Sequence, residues 1–83
     1  GRVAYEVCGP WARGLLAKGC SLDMHPRVFS TGACAQTLLA QVPVLIEPRG
    51  AGAGGELCYR VLADLSFAAY MRAWFIDAAL EFS

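Results

Sequence analysis

A closing segment that is apolar on almost every side constrains this chain more than any other feature. In SFAAYMRAWFIDAALEF, Phe67, Tyr70, Met71, Trp74, Phe75, Ala78 and Phe82 recur at the three- and four-residue spacing of one helix face. The opposite face, Ala69, Ala73, Ile76 and Leu80, is also mostly uncharged. Such a helix needs cover on more than one side. In a chain this small, the second covering surface is expected to be another subunit.

Composition points the same way. Of 83 residues, 57% are hydrophobic and 17% are charged, where ordinary soluble domains have about 45–50% and about 25%. One domain over residues 1–83 is the expected organisation, and a domain of this size buries only about 60–65% of its unfolded surface. The apolar surplus therefore belongs against a membrane or a partner. Arg49, Arg60, Asp64, Arg72 and Asp77 interrupt every run long enough to span a bilayer, and no secretory-signal pattern is seen. Seven basic and seven acidic residues balance to zero net charge, which leaves no electrostatic footprint for nucleic acid. Burial against a protein partner is the better account.

The rest of the chain reads as alternating elements. VAYEVC (Val3–Cys8) mixes β-branched and aromatic residues and predicts a strand. Pro10 suits the first position of a short helix over WARGLLAK, with Lys18 at its negative end and Gly19 as a left-handed cap. Residues 20–31 read as an ordered loop. Strands follow over Ala33–Ala40, over Val42–Glu47 with Pro43 at a strand start or edge, and over Leu57–Asp64. Both faces of the middle pair are apolar, as in a sheet covered on two sides. PRGAGAGG (Pro48–Gly55) lacks the spacing of a phosphate-binding loop and reads as a hairpin connection. Ser66 is the expected N-cap of the last helix. The order β-α-β-β-β-α predicts an α+β fold, with helices on one face of a small, mainly antiparallel sheet, related to the split-βαβ arrangement.

Candidate chemistry concentrates in Gly19–Ala40, which gathers Cys20, Asp23, His25, Arg27 and Cys34. His25 is the single histidine, and Asp23 and His25 point apart in an extended segment, so a nucleophile–His–acid engine is not the favoured reading. Hydrogen bonds that fix the loop are favoured instead. One histidine with dispersed thiols is a poor metal set. The cysteines, Cys8, Cys20, Cys34 and Cys58, form no CxxC pair and read as buried thiols outside any disulfide.

GCSLDMHPRVF followed by CAQTLLA resembles the gamma subunit of heterotetrameric sarcosine oxidase, as do CGPWARGLLAKG and YRVL with SFAAYMRAWFIDAA. The chain resembles mainly the C-terminal half of that subunit. More distantly it is similar to the folate-binding domains of glycine-cleavage aminomethyltransferases, through the GP-x-A-x-x-x-L turn at Gly9–Leu16. The first resemblance implies a non-catalytic, assembly-supporting subunit of a cytoplasmic bacterial oxidoreductase of one-carbon metabolism. That complex demethylates sarcosine or a related N-methyl amino acid. It also implies that FAD, FMN, NAD and tetrahydrofolate sit in larger partner subunits, with no cofactor and no catalytic residue in this chain. The second implies a stand-alone folate-binding, aminomethyltransferase-like domain. Trp11, Asp23, His25, Arg27, Phe29, Tyr70, Trp74 and Phe75 are the expected contacts with the larger subunits. Self-association of the isolated chain is a further expectation.

Overall fold

The computed structural model describes residues 1–20, 34–51 and 57–82. Its elements are β1 (Arg2–Cys8), α1 (Ala12–Ala17), β2 (Ala35–Leu39), β3 (Val42–Ala51), β4 (Leu57–Asp64) and α2 (Ala68–Ala79). Single 3-10 turns, Leu65–Phe67 and Leu80–Phe82, bracket α2. The strands form one sheet in the order β1-β4-β3-β2, every pair antiparallel. The expected α+β order and antiparallel sheet are found. A split-βαβ unit would need β1 parallel to β2; here they run antiparallel at opposite edges.

Alternation sorts the strand residues into two faces. One face carries Val3, Tyr5 and Val7 of β1, Tyr59, Val61 and Ala63 of β4, Val42, Val44 and Ile46 of β3, and Ala35 and Leu39 of β2. Against this face pack Ala12 and Leu16 of α1 and Met71 of α2. Leu16, Ile46, Val61 and Met71 are fully buried, each contributing about 1.5–3 kcal/mol by transfer from water. Among the described residues both helices pack on this one face, as expected, and none covers the other. Its apolar positions are Ala4, Leu38, Pro43, Leu45 and Leu62.

The β2–β3 connection is a two-residue turn in which Leu39 pairs with Val42, and Ala40 and Gln41 have φ of 52° and 71°. Two successive positive φ values match the right-handed twist of a hairpin, although neither residue is glycine. Two hydrogen bonds hold the turn. Ala40 N–H donates to Gly19 O at 2.9 Å, and Tyr70 Oη donates to Ala40 O at 2.9 Å. Gly19 itself sits so close to Trp74 that a Cβ there would lie 2.6 Å from Cζ2.

Several local expectations shift. Helix α1 begins at Ala12, after the turn containing Pro10, with Ala12 N–H bonded to Gly9 O. Gly19 lies outside the positive-φ positions, which among the described glycines are Gly9 and Gly50; close packing explains it better than a left-handed cap. Pro48–Ala51 extend β3, and the register step between Pro48 and Gly50 leaves Arg49 as the extra residue of a bulge. The hairpin connection is thus shorter than expected. Pro43 is in register with Leu38, one residue before the β3–β4 ladder opens at Val44 and Ala63. The start of the strand is where a missing N–H does least harm.

Candidate subunit interface

Helix α2 is tied to the rest of the chain at both ends, to the sheet at one and to the end of α1 at the other. Tyr5 Oη donates to Ala68 O at 2.9 Å at the N-terminal end. At the other end Lys18 Nζ lies 3.5 Å from Ala78 O and 2.8 Å from a Glu81 carboxylate oxygen. A cation at the carbonyl end of a helix complements its dipole; Lys18 does this for α2 as well as capping α1. The 3-10 turn that leads into α2 is capped by Asp64, whose carboxylate accepts from Ser66 N–H at 2.9 Å and Ser66 Oγ at 2.7 Å, whereas Phe67 at the start of α2 makes no side-chain cap bond. Ser66, the expected cap, is the donor to the actual one. These Ser66 hydrogen bonds, with the N-terminal ammonium and Arg2 nearby, hold the Asp64 carboxyl below the usual range.

Fixed in this way, α2 turns Met71 and Ala78 inward and leaves Trp74 and Phe75 half-buried. Phe75 lies 5.0 Å from the Tyr5 ring, and Trp74 meets Phe75 edge-on at 5.3 Å. These two expected partner contacts thus also pack within their own chain. Trp11 and Tyr70 are more than half exposed, at 54% and 53%. On the outer face of α2, Ile76 is 55% and Leu80 66% exposed, and Ala69 and Ala73 continue the same exposed ridge. Leu65 and Phe67, in the 3-10 turn before α2, are exposed as well, at 58% and 37%. Asp23, His25, Arg27 and Phe29 lie outside the described residues.

The uncovered sheet face is a second apolar surface, more heavily charged. Arg2, Gln36, Pro43, Leu45, Leu62 and Asp64 border a shallow depression of about 360 Å³. Beside it Arg60 binds Glu47, with Nε–Oε1 at 2.9 Å and a second contact at 2.8 Å. Glu6 is in register with Arg60 from the other side.

The cysteines depart from expectation. Cys8 and Cys58 are in register on β1 and β4, and they form a disulfide. Cys34 is exposed. Cys20 is buried, its Sγ 3.7 Å from Thr37 Oγ1. The reading as four buried thiols therefore holds for Cys20 alone, because pairing was decided by strand register. Burial raises the Tyr59 phenol above its ordinary pKa, with Arg13 opposing. Among the described residues, no three of His, Cys, Asp and Glu group to hold a metal ion. No helix among them is long and apolar enough to cross a membrane.

Comparison with known proteins fits this architecture. The model of the family described as "Sarcosine oxidase, gamma subunit family" matches residues 1–81. The sarcosine oxidase subunit gamma of Corynebacterium sp. (strain U-96) is 38% identical over 82 residues, which cover 99% of this chain and 38% of the relative. The subunit gamma of an Arthrobacter sp. is 37% identical over the same span. A chain of the heterotetrameric sarcosine oxidase from Corynebacterium sp. U-96, solved in complex with pyrrole 2-carboxylate, superposes with a TM-score of 0.85 at 38% identity, over 99% of this chain and 40% of that one. The chain thus spans about two-fifths of the length of the relatives it matches. By sequence across nearly its whole length and by fold, it belongs to the sarcosine oxidase gamma subunit family.

Proposed function

We propose that this chain is a non-catalytic, assembly-supporting part of a sarcosine oxidase-type complex that oxidatively demethylates sarcosine or a related N-methyl amino acid. The observation that carries this reading is the ridge Ala69, Ala73, Ile76 and Leu80. It is an apolar face left exposed on a helix already fixed to its own sheet and to the end of α1. Isolated apolar residues on a surface are ordinary, but a contiguous apolar patch marks an interaction site. Membership of a family named for a subunit supplies the kind of partner.

In this reading the larger subunits cover the outer face of α2, with Trp11 and Tyr70 at its margin. Trp74 and Phe75 back the patch from inside. Asp23, His25, Arg27 and Phe29 contribute from the Gly19–Ala40 segment, on the strength of the sequence alone. FAD, FMN, NAD and tetrahydrofolate belong to those subunits, and the complex works in the bacterial cytoplasm. Co-expression with the larger subunits tests the proposal. Ile76→Lys with Leu80→Lys is expected to leave the thermal unfolding of the isolated chain nearly unchanged, since both side chains face solvent, and to abolish co-purification with the flavin-bearing subunits. Full co-purification of that variant would overturn the placement of the interface. Folate binding by the isolated chain in calorimetry would instead favour the aminomethyltransferase-like reading.

A further inference from the structure

The Cys8–Cys58 bridge joins two strands that are already joined. Cys8 and Cys58 stand directly opposite each other on β1 and β4, and the ladder continues on both sides of them. Val7 pairs with Tyr59 before the bridge, and Gly9 N–H donates to Leu57 O at 3.2 Å beyond it. In an antiparallel ladder, hydrogen-bonded and non-hydrogen-bonded residue pairs alternate. Gly9 is bonded to Leu57, and the Cα atoms of Cys8 and Cys58 are 4.1 Å apart, so the cysteines occupy a non-hydrogen-bonded pair. Opening the S–S bond therefore removes no ladder hydrogen bond. The flanking pairs keep the two thiols face to face, ready to close again.

Core packing is equally independent of the bond. Among the described residues, the buried core contains neither Cys8 nor Cys58. Cys58 is half-buried and Cys8 exposed, and exposed disulfides are the ones that exchange readily with thiols. On its β3 side Cys58 is in register with Gly50, which brings no side chain against the sulfur. We propose that Cys8–Cys58 is a reversible thiol–disulfide switch that opens and closes in the folded chain and sets how firmly the β1–α1 corner is held. That corner begins at the bridge. Gly9 follows Cys8, Ala12 N–H donates to Gly9 O, and a Cβ on Gly9 would lie 3.7 Å from Trp11 Cε3. Opening starts with attack on the Cys8 sulfur by the thiolate of a low-molecular-weight thiol. The Sγ–Sγ bond breaks, Cys58 leaves as a thiolate and takes up a proton, and Cys8 is held in a mixed disulfide. A second thiol attacks the small molecule's sulfur and releases Cys8. The two small thiols end as their own disulfide, having given two electrons to the bridge. Closing is the same sequence reversed, with the small disulfide as oxidant. The switch goes beyond the assembly role, because it is a property of the chain itself and needs no partner.

Equilibration of the chain in mixtures of reduced and oxidised glutathione, without denaturant, tests it. Alkylation of thiols followed by peptide mass mapping counts the open and closed forms and separates this pair from Cys20 and Cys34. A single transition is expected, identical when approached from the reduced and from the oxidised side, with unchanged far-ultraviolet circular dichroism. Hydrogen exchange on the two forms locates the effect. The amides of Val7, Gly9 and Tyr59, which cross the β1–β4 ladder beside the bridge, are expected to exchange at least about tenfold faster in the open form. The Leu62 amide, directed towards Leu45 of β3, is expected to change less. A bridge that opens only after unfolding in urea would overturn the proposal. So would loss of the fold on reduction, or re-oxidation to a pairing with Cys20 or Cys34. Equal exchange at Val7, Gly9 and Tyr59 in both forms would refute the loosening of the corner.

Discussion

Gly19 is constrained by what lies within reach of its Cα. A methyl group there would meet Trp74 Cζ2 at 2.6 Å, the Ala40 backbone nitrogen at 3.0 Å and Leu39 Cδ1 at 3.2 Å. The indole is wedged against Phe75 and the nitrogen belongs to a tight turn, so neither yields freely. Gly19→Ala is expected to lower stability by about 1–3 kcal/mol in urea unfolding, an overpacking effect. The turn it touches carries the opposite signal. Ala40 and Gln41 occupy the left-handed region, where a side chain costs about 1 kcal/mol or more per residue. Replacing the pair by Asn-Gly is expected to raise stability by about 1 kcal/mol in the same measurement. A smaller gain would mean that the clamp by Gly19 and Tyr70 dominates the turn. None of this was legible in the sequence: Gly19 reads as a helix cap, and Ala-Gln carries no turn signature.

Helix α2 was legible in its extent and its apolar character, and less so in its cap. Periodicity placed the helix within Ser66–Phe82, and the structure has helical or 3-10 geometry over nearly all of it. The side-chain cap sits two residues upstream at Asp64, on the 3-10 turn that opens into the helix, where its carboxylate accepts charge-assisted bonds from Ser66 N–H and Oγ. The pH dependence follows. Asp64 has its pKa lowered by folding, so its contribution to stability is present above the unfolded pKa near 3.9 and is lost as pH falls through the folded value. Asp64→Asn is therefore expected to flatten the acid limb of a thermal unfolding profile, with its deficit largest at neutral pH. An unchanged acid limb would show that the cap does not contribute.

For the whole molecule, the Cys8–Cys58 bridge closes a sequence separation of 50 residues and ties the edge strand β1 to β4. Constraining the unfolded chain over a loop of that length contributes about 2–4 kcal/mol. Reduction is expected to lower the urea midpoint accordingly, and Cys8→Ala with Cys58→Ala to reproduce the loss and remove the sensitivity to reductant. A reductant-insensitive wild type would refute the bridge. Four cysteines permit several pairings, and sequence spacing does not choose among them. The register of β1 on β4 does, by setting two of them opposite each other.

By itself the sequence determined the element order, the α+β class and the apolar surplus that calls for a partner, and its motifs marked the family. These follow from periodicity and composition, which are local or additive properties. The tertiary structure alone decided which half of each strand is covered, where the close approach at Gly19 falls, which cysteines meet, and that β1 and β2 lie outermost among the described strands. Each of those depends on which residues distant in the chain stand side by side. Sheet order and register set that, and no short stretch of sequence specifies them.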